Sequence, residues 1–225
     1  QYLNMASCYN PSNGLFCFIG ENRSQIQISY DGFNWGLTDS GLSGYDWKQM
    51  IWTGNMLVMV AANDNQLAYS YTGEGSSWHM GGTVLTSNTG WTGIQYSKSL
   101  NRYVCCNNTG DFVVYGSDIM SNTQWTVAHT GISGNCRAIA YGEGVGFVEV
   151  GGSDYAFSTD GITWTHGTIY NSYTFYNVGW GSLGFIATDI NGHIFKSANG
   201  TSWSLAYSLG AGVSCYNISY GGGIS

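Results

Sequence analysis

The chain has 225 residues, a length that suits one domain or two small ones. It holds 34 glycines and one proline, with 16% aromatic residues, 8% charged residues and a formal net charge of −7. That excludes a disordered chain, which needs charge and few aromatics, a collagen-like repeat and a helical bundle rich in Ala, Leu, Glu and Lys. Six scattered Lys and Arg make no patch for a phosphate backbone, so nucleic acid is excluded as a partner. No apolar run approaches the roughly 20 residues of a membrane-spanning helix, so no membrane insertion is expected.

In chain order, a first strand ends in an aromatic at Ser7-Cys8-Tyr9, and a second follows at Phe16–Ile19. A third, Ile26–Ile28, leads into Ser29-Tyr30-Asp31-Gly32-Phe33-Asn34-Trp35, and the Trp opens a fourth. The same order returns at Met50–Trp52, Leu57–Val60 and Leu67–Tyr69, closed by a looser run from Ser70 to Trp78. It returns at Gly93–Tyr96, Tyr103–Cys106 and Phe112–Tyr115, with Ser117 to Trp125. It returns at Ala138–Tyr141, Phe147–Val150 and Tyr155–Phe157, with Ser158-Thr-Asp-Gly-Ile-Thr-Trp164. The fifth copy is Asn177–Trp180, Phe185–Ala187 and Ile194–Phe195, with Ser197-Ala-Asn-Gly-Thr-Ser-Trp203. The five tryptophans are 43, 47, 39 and 39 residues apart.

Asp-Gly or Asn-Gly before three of the tryptophans supplies the positive φ that a tight hairpin needs. A four-stranded antiparallel unit of about 40 to 45 residues, repeated around an axis, is the signature of a β-propeller blade. The sequence therefore predicts an all-β fold, a five-bladed β-propeller of four-stranded antiparallel blades forming a single domain over residues 1–225. A sixth inner-strand copy, Asn217-Ile-Ser-Tyr220, leaves six blades open if it begins a further repeat. A strand exchanged between the termini is the expected closure, because an open edge invites pairing with another chain. Homo-oligomers through the terminal strands follow from the same reasoning.

The Ser-x-Asp-Gly-x-x-Trp runs resemble shortened Asp-box repeats, as found in sialidases and many non-enzymatic propellers. Five short blades in a chain of this size resemble the five-bladed tachylectin-type lectins. The resemblance implies that the Asp side chain caps its turn and that the Trp packs between blades. No binding motif of a lectin subfamily is carried over from it.

Strands that alternate in direction put the Ser-to-Trp turns on one end and the second-to-third turns on the other, beside the connectors. On that second end, an aromatic ring flanked by amides and carboxylates is what a sugar needs: the ring desolvates its C–H face and the polar groups orient its hydroxyls. Three such sets can be assembled: Trp47 with Asp64 and Asn65, Trp91 with Asn107 and Asn108, and Phe175 with Asp189 and Asn191. Repetition would add avidity.

The six cysteines show no CxxC pair, so they read as buried free thiols rather than a metal site or a disulfide framework. Asn22, Asn107, Asn199 and Asn217 begin N-x-Ser/Thr sequons, no more than this composition gives by chance. The run Asp189–His193 lacks the terminal acid of a calcium loop, and neither a metal nor another cofactor is expected. The arginines Arg23, Arg102 and Arg137 occupy unrelated positions, unlike the cluster that resemblance to a sialidase would demand, and no HExxH or GxSxG supports a hydrolase. The resulting expectation is a non-enzymatic carbohydrate-binding propeller, a multivalent lectin or adhesin with glycans as partners, extracellular or surface-exposed. The alternative is a protein-binding or structural propeller module, such as a receptor-binding tip of a phage, virion or surface filament.

Overall fold

In the computed structural model, the described residues are 5–20, 23–85, 90–133, 135–170, 173–210, 213, 215 and 218. The sixth inner-strand copy at 217–220, and with it the terminal closure, lies outside them.

Twenty strands form five four-stranded antiparallel sheets, a five-bladed β-propeller. Sheet 1 holds β1 (Met5–Asn10), β2 (Leu15–Gly20), β3 (Gln25–Ser29) and β4 (Gly36–Asp39). Sheet 2 holds β5 (Trp47–Trp52), β6 (Leu57–Ala61), β7 (Gln66–Ser70) and β8 (His79–Thr83). Sheet 3 holds β9 (Trp91–Ser97), β10 (Arg102–Asn107), β11 (Phe112–Gly116) and β12 (Thr126–His129). Sheet 4 holds β13 (Ala138–Gly142), β14 (Gly146–Gly151), β15 (Asp154–Ser158) and β16 (Thr165–Thr168). Sheet 5 holds β17 (Phe175–Gly181), β18 (Gly184–Asp189), β19 (His193–Ser197) and β20 (Ser204–Ser208). In every sheet the strands pair in sequence order, as short hairpin connections dictate.

The Ser-to-Trp turns explain why each third strand turns back so sharply. In the first, Ser29 Oγ accepts from the Gly32 N–H at 2.9 Å, and Asp31 Oδ1 accepts from the N–H groups of Phe33 and Asn34 at 2.8 and 2.7 Å. Ser158 and Asp160 repeat the pattern in sheet 4, and Ser197 with Asn199 repeat it in sheet 5. Gly32, Gly161 and Gly200 stand at φ of +75°, +73° and +78°, where a Cβ would be strained. The N–H bonds from Asn34 and Phe33 hold the Asp31 carboxyl well below the usual carboxylate range. In all five sheets the fourth strand begins one residue after the Trp.

Asp160→Ala strips the acceptor from two backbone N–H groups and is expected to destabilise by about 1–2 kcal/mol. Asp160→Asn, the side chain that the fifth turn uses, stays within about 0.5 kcal/mol of the parent. Urea midpoints check this; equal midpoints for the two variants would remove the carboxylate from the turn's energetics.

The chain packs as two compact units: Gln1–Tyr103 with Gly116–Trp125, and Val104–Tyr115 with Thr126–Ser225. In the first, Leu15, Cys17, Ile19, Trp47, Leu57, Met59 and Trp78 form the core between sheets 1 and 2. In the second, Val148, Val150, Phe175, Phe185 and Phe195 pack sheet 4 on sheet 5. Val104, Cys106, Val113, Cys136, Ile139 and Phe147 form a further core of that unit.

One repeat position breaks the apolar rule. Register places Phe16, Leu57, Phe147 and Phe185 opposite the inner-strand aromatics Tyr9, Trp52, Tyr141 and Trp180. Tyr103 stacks on Tyr96 in the same way. Two residues further along stand Phe18, Met59, Cys105, Glu149 and Ala187. Glu149 is fully buried, and neither carboxyl oxygen has a hydrogen-bond partner of good geometry. Burial raises its pKa to about 7, against the smaller opposing pull of the Cys136 thiol and the Thr130 hydroxyl; the nearby Asp111 raises it further.

Candidate functional site

The three aromatic rings singled out for a sugar are Trp47, Trp91 and Phe175, and each is 0% exposed. Backbone geometry sends two of them inward. A register shift follows Trp47 in the β5–β6 pairing and Phe175 in the β17–β18 pairing, and such a bulge re-aims the side chain beside it. The Trp47 indole N–H donates to Leu42 O at 3.4 Å, beside the Tyr45 ring. Phe175 meets Phe195 edge to face at 5.1 Å. The Trp91 indole N–H donates to Asn65 Oδ1 at 2.7 Å, with Asn65 buried and held at φ +56°. The structure thus brings Asn65 to Trp91 rather than to Trp47.

The polar partners divide in the same way. Asn107 is buried and consumed by its own turn: its amide donates to Phe112 O at 3.0 Å, and its carbonyl accepts from the N–H and hydroxyl of Thr109. The Asn107 sequon is therefore closed to modification in the folded chain, whereas Asn199 is exposed in its turn. Asp189 is buried, accepts from the N–H groups of Asn191 and His193, and pairs with His193 Nδ1 at 2.9 Å. Asp64 and Asn191 are exposed and Asn108 is half-buried. Among the described residues no group of three or more His, Cys, Asp and Glu is placed to hold a metal.

Exposed aromatic rings lie elsewhere: most stand on sheet 1 and in the β3–β4 and β7–β8 turns, while Tyr170 and Tyr207 are exposed singly in the second unit. Trp78 sits in the core between sheets 1 and 2, Trp164 packs on the Phe147 core, and Trp203 stacks near Tyr155. Trp35 is 44% exposed, and its ring contacts among the described residues are with Phe16 and Phe18 of its own sheet, at 6.4 and 4.9 Å. Tyr9 continues the row, 4.7 Å from Phe16. Phe33 is 89% exposed in the first Ser-to-Trp turn, where the sheet 4 and sheet 5 turns carry Ile162 and Thr201. Tyr30, in the same turn, and Tyr71, in the β7–β8 turn, are exposed as well.

Polar bonds fix these rings in place. The Asn10 amide donates to the carbonyls of Tyr71 and Thr72 at 3.4 and 3.2 Å, and the Asn13 amide donates to Thr72 O at 2.9 Å. The Tyr30 hydroxyl donates to the Glu74 carboxylate, which raises the phenol's pKa. The turns of sheet 1 and the β7–β8 turn are thereby held together as one surface. Its acids are Asp31 and Glu74; Asp31 is held more acidic than usual by the N–H donors of Asn34 and Phe33.

No family model matches the chain, and no curated protein sequence matches it. Solved structures do. The chain is similar to YCF48 from Cyanidioschyzon merolae, at a TM-score of 0.65 and 16% identity, over 93% of this chain and 74% of that one. It is similar to virginiamycin B lyase from Staphylococcus aureus, at 0.76 and 8%, over 92% of this chain and 70% of the lyase. It is similar to a chain of the nidogen/laminin complex, at 0.66 and 8%, over 85% and 74%. At such identities the likeness shows a shared propeller fold. The neighbours include both binding proteins and an enzyme.

Proposed function

We propose that this chain is a protein-binding propeller module whose partner is a polypeptide segment rather than a sugar. The observation that carries the reading is the aromatic surface of sheet 1 and the adjoining β7–β8 turn: Tyr9, Tyr30, Phe33, Trp35 and Tyr71 expose their rings, while Trp47, Trp91 and Phe175 are buried. Exposed aromatic patches of this kind serve interfaces, where Trp and Tyr act as anchors. The acids Asp31 and Glu74 lie within it, and the chain carries a net charge of −7. That favours a segment combining apolar side chains with Lys or Arg, the cations meeting ring faces and carboxylates. Two neighbours are described with protein partners, one as YCF48 bound to D1 peptide and one as the nidogen/laminin complex, which supports the same class. The Ser-to-Trp turns are read as Asp-box folding devices, with no part in binding beyond presenting Tyr30 and Phe33.

The test sets a displayed library of random linear peptides against a glycan array. The expected result is enrichment of basic-aromatic peptides, at least about tenfold weakened by Phe33→Ser combined with Trp35→Ser, as loss of two aromatic anchors implies. Glycan hits that survive that double variant, with no peptide enriched, would restore the lectin reading.

A further inference from the structure

We propose that Cys8 and Cys17 are an oxidisable pair that closes a disulfide across the first hairpin, a modification site on the strand that begins the fold. The register of β1 and β2 sets Cys8 directly opposite Cys17. Directly opposed residues of an antiparallel pair point to the same face, with Cα atoms about 4.5–5.5 Å apart. That spacing lies inside the roughly 4.4–6.8 Å that a disulfide spans. Both side chains pack on one core, Cys17 buried within it and Cys8 half-buried at its margin. The structure holds both as free thiols, with the Cys8 thiol donating to Tyr9 O at 3.5 Å and the Cys17 thiol to Gly73 O at 3.7 Å. No such opposition exists for Cys105, whose neighbour Cys106 points to the other face of β10.

The oxidant is a small disulfide of the glutathione type. The Cys8 thiolate, the more accessible, attacks one sulfur of it; the S–S bond breaks and one glutathione leaves as its thiol. Cys17 then loses its proton to solvent and attacks Cys8 Sγ, releasing the second glutathione. Two protein thiols are oxidised and one small disulfide is reduced to two thiols. Burial pushes both thiols up to about 12, so little thiolate is present near neutrality and closure is slow. The same high value makes Cys17 a poor leaving group, so the bond once formed is slow to be reduced.

The folded, reduced full chain is incubated with oxidised glutathione at mildly alkaline pH, unfolded, alkylated and cut with chymotrypsin. Cleavage after Tyr9 or Phe16 separates the two cysteines. The expected result is a mass loss of two hydrogens and a linked peptide pair carrying Cys8 and Cys17, formed about tenfold faster per pH unit and absent from Cys8→Ser. Alkyl label on both residues would overturn the proposal. So would a stable glutathione adduct at Cys8, or a Cys106–Cys136 bond forming in its place.

Discussion

Glu149→Met is expected to raise the unfolding free energy by about 3 kcal/mol near pH 8, and by little near pH 5. The acid is fully buried where the other repeats carry Phe18, Met59, Cys105 and Ala187, so methionine fits the site's own pattern. Ionising it there places a charge with no hydrogen-bond partner of good geometry in the interior between apolar strands, which is costly. The sign follows from the raised pKa. Between the unfolded value of 4.5 and the folded value of about 7, the folded chain binds one proton more than the unfolded chain. Stability is therefore fully present below 4.5 and falls as pH rises towards about 7. The groups nearest the carboxyl are Cys136, whose thiol burial also pushes well up, Thr130 and Asp111; Cys136 stays protonated across this window. Urea denaturation at a series of pH values measures the slope. A wild-type slope unchanged in Glu149→Met would contradict the assignment.

Trp91→Ala is expected to cost about 3–5 kcal/mol through the lost burial and the cavity left behind. It also strands Asn65 Oδ1, an acceptor worth roughly 1–3 kcal/mol when left unpaired in the interior. Trp91→Phe keeps most of the packing and isolates the second contribution. Trp35→Ala, at an exposed ring, is expected to stay within about 1 kcal/mol. Thermal and urea unfolding of the three variants separates these cases. If Trp91→Ala and Trp35→Ala cost the same, the division between buried and exposed rings is wrong.

That division is also where sequence and structure part. The five repeats were legible because each carries a strand-closing aromatic, a Gly- or Asn-bearing turn and a Trp in fixed order, and all five sheets form where that order places them. The fate of Trp47 and Phe175 was not legible, because it depends on a register shift just after each ring, and nothing in the residue order marks it. Trp91 is buried by a bond from a turn 26 residues upstream. The exposed rings could be found only in part. Phe33 stands out once the turns are aligned, since Ile162 and Thr201 fill its place elsewhere, but Trp35 reads as one box tryptophan among five. Glu149 reads as a lone acid on a strand, and only the pairing register shows that it stands in an apolar row.

Hydroxyl-radical footprinting of the folded chain tests the central claim most directly, because it reports each aromatic side chain separately. The account predicts rapid oxidation of Phe33, Tyr30 and Trp35, with Trp47, Trp91 and Phe175 protected until the chain unfolds. Rapid oxidation of Trp47 and Trp91 in the folded chain, with Phe33 and Trp35 protected, would contradict it and return the binding site to the opposite end of the blades.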